Sequence, residues 1–197
     1  EESYYFNKTG LDQLMKKLHS NIQGENMIVS SSLSLMNDQI YYIPQSHISN
    51  KEFLEYELNQ VIHTLFTYLE AFREVVYVDT ASSEHLSSKV ILNEADLVVV
   101  NLNQNPLVLS NFFENYSSIK SKAVYLIGNY NHYSRFNLKN IIRQYHIEKN
   151  KIAVIPYNVE FADALSEGNI INFLSRNYGS SRYDENFYFM QEVKKAM

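Results

Sequence analysis

The chain has 197 residues, 45% of them apolar, enough to bury a sizeable core without metals or disulfides. Its formal net charge is -5 and no Lys/Arg run exceeds the pairs Lys16-Lys17 and Lys194-Lys195, which argues against a broad cationic footprint for duplex nucleic acid. Cysteine is absent, so disulfides, thiol catalysis and Cys-ligated zinc or iron-sulfur clusters are excluded together. The longest aliphatic run, Leu97-Val98-Val99-Val100, falls far short of the roughly 20 apolar residues of a membrane span.

Glu1-Glu2-Ser3 does not read as a signal peptide, and a start without Met leads us to expect a chain that begins inside a longer protein. One domain over 1–197 is the expectation. Helical spacing first covers 10–19, and a short apolar run over 39–43 predicts a strand ending at Pro44-Gln45-Ser46. Over 52–73 the residues Phe53, Tyr56, Leu58, Ile62, Leu65, Leu69 and Phe72 repeat with the period of one helical face. Strands are then predicted over 74–78, 96–100, 122–127 and 151–155. Helices are predicted between and after them, over 84–93, 106–116, 137–145, 160–176 with a break at Gly168, and 184–196. Continuous β-branched runs suit parallel strands covered on both faces. The fold class expected is therefore α/β, a mostly parallel sheet with helices on both faces. In such sheets ligands sit at the carboxyl ends of the strands. Those ends carry Asp79-Thr80-Ala81-Ser82-Ser83, Asn101-Leu102-Asn103, Gly128-Asn129-Tyr130-Asn131 and Pro156-Tyr157-Asn158.

The sharpest chemical feature is Val75-Val76-Tyr77-Val78-Asp79-Thr80, an apolar run ending in an acid. A carboxylate there can hold a hard cation such as Mg²⁺ directly or through water, or it can simply cap the next helix. A phosphate cradle is missing: Gly10, Gly24, Gly128, Gly168 and Gly179 are the only glycines, and none precedes Lys-Ser or Lys-Thr. Ser82, Ser83 and His85 lack a Gly-x-Ser-x-Gly elbow, and a serine at a helix start reads as a cap rather than as a hydrolase nucleophile beside a base. The loop with Tyr130, His132, Tyr133 and Arg135 reads as a surface or partner-binding edge. In the last helix Phe187, Met190, Val193 and Met197 share a face beside Lys194 and Lys195. Docking of that face on its own domain is expected ahead of membrane contact.

In order along the chain, these residues resemble the ParA/MinD-like branch of P-loop NTPases with a deviant Walker A motif. The strand ending in Asp79-Thr80 resembles that family's Walker B element, and Ala95-Asp96-Leu97-Val98-Val99-Val100 its following strand. Ala123 to Asn129 and Ile152 to Asn158 resemble the elements that line the base pocket. The stretch through Phe161, Asp163-Ala164 and Gly168 to Asp184-Glu185-Asn186-Phe187 most resembles the TadZ/CpaE-type subgroup, localisation factors for Tad-type pilus machinery. The likeness covers nearly the whole chain from about Gly10. The family's first strand and Gly-rich loop are absent, and Ala81 stands where the family has Pro.

The resemblance implies ATP and Mg²⁺ in an intact parent, with no cofactor required of this chain alone and no catalytic residue in it. Asp79 would hold the metal mainly through water, Thr80 to Ser83 would respond to nucleotide state, and Asn129, Pro156, Tyr157 and Asn158 would line the base pocket. It further implies a homodimer, protein partners of a pilus or secretion apparatus, no specific nucleic acid, and a cytoplasmic place, polar or at the membrane periphery. The competing expectation is a non-catalytic interaction module that kept the fold and lost nucleotide binding, with residues 129–136 as its contact surface.

Overall fold

The computed structural model describes residues 9–20, 24–45, 51–80 and 85–197. The chain divides into two compact units between Glu94 and Ala95.

The first unit contains α1 (Leu11–His19), α2 (Glu25–Val29), β1 (Leu33–Leu35), β2 (Ile40–Tyr42), α3 (Lys51–Phe72) and α4 (Leu86–Glu94). Its core gathers Leu14, Met27, Ile28 and Leu65, with Leu58, Leu69 and Phe72 packed against them, so the apolar stripe predicted along α3 is the face that is buried. Lys17 donates to the Ser30 and Ser31 hydroxyls at 2.7 and 2.9 Å, placing a cation at the carboxyl end of α2, where the helix dipole favours it. Burial lowers the Lys17 pKa.

Two strand expectations fail in this unit. The run 39–43 does not join a parallel sheet: β2 pairs antiparallel with β1, with Leu33 opposite Tyr42 and Leu35 opposite Ile40. The reason is local, because Met36, Asn37 and Asp38 all take positive φ and fold the chain straight back into a hairpin. The run 74–78 forms no strand at all, and Val75, Tyr77 and Val78 are 64%, 91% and 44% exposed. A strand is completed by a neighbour that takes up its backbone N–H and C=O groups, and none of the described residues pairs with this run.

The second unit is an α/β layer built on a three-stranded parallel sheet, ordered β3 (Val98–Leu102), β4 (Ala123–Tyr130), β5 (Ile152–Pro156). Val98 pairs with Ala123 and Leu102 with Ile127, so β3 runs past its predicted end to include Asn101. Helices α5 (Pro106–Asn115), α6 (Leu138–Tyr145), α7 (Val159–Ser166), α8 (Ile170–Asn177) and α9 (Phe187–Ala196) complete the unit. On one side of β4, Tyr125 meets Phe112 and Phe113 of α5 at 5.9 and 5.2 Å, and Tyr145 of α6 stacks on Phe113 at 4.4 Å. On β5, Ile155 packs with Ala164, Phe173, Phe189 and Met190 from α7, α8 and α9. The expected break at Gly168 is present, with φ +69 between α7 and α8. Helix α9 docks on β5 as expected, although the buried pair is Phe189 and Met190 and Met197 stays 91% exposed. Among the described residues no helix is long and apolar enough to cross a membrane.

Candidate functional site

Each strand of the parallel sheet leads into a helix whose first turn is capped by an asparagine. The Asn105 side chain accepts from the Leu107 amide at 2.9 Å, Asn137 from Asn140 at 3.1 Å, and Asn158 from Phe161 at 2.7 Å. An amide oxygen at that position satisfies one of the N–H groups that a helix start leaves orphaned. These asparagines thus have a backbone role, and they fix where α5, α6 and α7 start.

Between the last two strands the register slips. Ile127 lies opposite Val154, but Tyr130 lies opposite Pro156, so β4 carries one extra residue around Gly128 and Asn129. A Cβ on Gly128 would come within 3.2 Å of the Asn101 Oδ1, so a larger residue fits there only if the Asn101 side chain gives way. Asn129 takes φ 49, in the left-handed region that asparagine tolerates best after glycine. The bulge turns the Asn129 side chain out to solvent, and its amide makes no hydrogen bond among the described residues.

Tyr157 follows directly, 62% exposed, with its backbone amide donating to the Tyr130 carbonyl at 3.4 Å. Pro156 is buried as the last residue of β5. The carboxyl edge of β4 and β5 therefore holds Asn129 and Tyr157 as an exposed amide and an exposed ring on adjacent strand ends, with Pro156 buried beside them. Asn158 belongs to the same edge, but both ends of its amide are committed: the oxygen caps α7 and the nitrogen donates to Asn186 Oδ1 at 2.7 Å.

The loop that follows β4 is braced from β3's side. Gln104 donates to the carbonyls of Asn131 and Phe136, both at 3.0 Å, and its own oxygen accepts the Asn131 amide at 2.7 Å. The Tyr130 hydroxyl accepts from the Leu138 amide at 3.0 Å. The His132 and Tyr133 rings lie 3.8 Å apart at a tilt of 41° on this loop, with Tyr133 86% exposed. Across from His132, burial pushes the Tyr188 phenol above its usual range, and Glu192 and Tyr130 add to the rise.

A network absent from the sequence-based reading ties α9 to α7 and α8. Asn186 donates to Glu160 at 2.8 Å and to Asn177 at 3.1 Å, while Arg176 reaches the same Glu160 oxygen at 3.2 Å. Asn186 and Asn177 are buried, and these residues border an open cleft of about 510 Å³. The one signal available beforehand was Asn186 at the start of a predicted helix, where asparagine usually caps; here it bonds across helices instead.

In the first unit, Asp79 is exposed and its carboxylate has no partner among the described residues, which suits a cation held through water but supplies a single protein side chain as ligand. Thr80 Oγ1 and Ser88 Oγ lie 3.2 Å apart. Ala81, Ser82 and Ser83 fall outside the described residues. No family model, no curated protein and no solved structure matches this chain.

Proposed function

We propose that this chain is the C-terminal portion of a ParA/MinD-like ATPase that acts as a nucleotide-dependent dimerisation and localisation switch, of the kind that serves Tad-type pilus assembly. The observation that carries the reading is the β4–β5 edge, where Asn129, Pro156 and Tyr157 lie at the carboxyl ends of adjacent parallel strands. These residues suit an adenine base: the unpaired Asn129 amide offers one donor and one acceptor in plane, and Tyr157 offers a ring face. Asn158 would support the base site by fixing the start of α7. Asp79 would hold Mg²⁺ mainly through water, and Thr80 to Ser83 would follow nucleotide state.

The bound nucleotide supplies phosphate charge and a binding free energy that differs between monomer and dimer, and that difference is what can bias the switch. The phosphate cradle lies outside this chain's five glycines, so the reading concerns the intact parent and assigns this chain no catalytic residue. A cytoplasmic homodimer that meets protein components of the pilus machinery follows from the same resemblance. Light scattering on the native protein tests the switch: its mass should double on addition of Mg-ATP and return with ADP, and a mass indifferent to nucleotide overturns it.

A second reading has its own support. The loop 129–136 is held by three hydrogen bonds to Gln104 and displays Tyr133 almost fully to solvent, as a preorganised protein-binding surface would. In that case the fold serves as a scaffold without nucleotide.

A further inference from the structure

The charge of this chain is unevenly spread. Overall it is -5, yet no acidic residue occurs between Glu114 and Glu148, a stretch that holds Lys120, Lys122, Arg135, Lys139 and Arg143. The fold brings the last three together. Lys139 and Arg143 are one helical turn apart on α6, on the solvent side away from Ile141, which is 1% exposed. Asn140 links Arg143 to the backbone of Arg135: its amide nitrogen donates to the Arg135 carbonyl at 2.8 Å, and its oxygen accepts from Arg143 at 3.4 Å.

All three cations are exposed, and none has a carboxylate within ion-pair distance among the described residues. Like charges one turn apart on a helix repel, and neighbouring cations left without counter-charges favour an anionic occupant. Beside Arg135 stand the exposed His132 and Tyr133 rings, on the loop that Gln104 immobilises.

We infer that Arg135, Lys139 and Arg143 form a docking surface for an acidic segment of a partner protein, with Tyr133 as its aromatic anchor. Charge complementarity selects the occupant. The patch offers three cations, against roughly six to ten phosphate contacts in a protein that holds duplex DNA, and the net charge of -5 repels a long polyanion. A short acidic peptide needs no more than this patch, and aromatic residues with arginine are the side chains enriched at protein interfaces. The inference does not rest on nucleotide binding.

The test is fluorescence anisotropy of a labelled octaglutamate peptide with the intact chain at low salt. Binding should weaken as salt is added, and should fall roughly tenfold or more when Arg135→Gln, Lys139→Gln and Arg143→Gln are combined. A control carrying Lys149→Gln and Arg182→Gln, exposed cations of the same unit, should bind as the parent does. Lys139→Glu alone should weaken binding in the same direction, and circular dichroism checks that each variant is folded. Absence of binding, equal affinity in the triple variant, or an equal loss in the control overturns the proposal. So does tighter binding of a labelled DNA duplex that the triple variant abolishes, since the occupant would then be nucleic acid.

Discussion

Two apolar runs of similar composition meet opposite fates in this molecule. Ala123 to Ile127 becomes the middle of a sheet, with Ala123, Tyr125 and Ile127 at 1%, 5% and 0% exposure, while Val75 to Val78 stays outside any strand and in solvent. Both are rich in β-branched and aromatic residues, and both follow a helix or turn. The difference lies in neighbours. β4 has β3 on one side and β5 on the other, and Tyr125, Leu126 and Ile127 are paired with both. The run before Asp79 has no such flank among the described residues. Burial and hydrogen bonding, rather than composition, convert an apolar run into a strand.

That contrast can be broken by mutation. The largest effect is expected at Ile127→Ala, which leaves a cavity between β4 and its neighbours and should cost about 2–5 kcal/mol in denaturant unfolding. Asn186→Ala should cost about 1–3 kcal/mol, because Asn158, Glu160 and Asn177 all lose a partner while Asn177 stays buried. Tyr77→Ala, at a side chain 91% exposed, should move stability by no more than about 0.5 kcal/mol. A cost at Tyr77 near that at Ile127 would mean that the run before Asp79 is covered after all.

Much of the second unit was legible beforehand. The continuous apolar runs of β3, β4 and β5 and the helical spacing of α5 and α6 carried their own signal, and Gly168 marked the break between α7 and α8 through its freedom at positive φ. The strand-end asparagines were visible as candidates, but their division of labour was not. Asn129 stays free because a bulge turns it outward, whereas Asn158 is consumed by a cap and by Asn186, and both outcomes depend on register and on a helix nearly thirty residues away. The hairpin of β1 and β2 escaped notice because Met36 is an unusual residue for the left-handed region. Gln104 gave no sign of its role, since bracing a loop twenty-seven residues on is a purely tertiary relation.

The central claim is that the β4–β5 edge receives an adenine base. Calorimetric titration of Mg-ATP into the native protein, beside its Asn129→Ala variant, addresses it most directly. The account predicts binding that the variant weakens about tenfold, the value of roughly 1.4 kcal/mol for the lost amide contacts, with only a small drop in the thermal midpoint, because the side chain has no partner among the described residues and only its left-handed φ of 49 disfavours alanine. Equal affinities for the two proteins, or no binding by either, would contradict it.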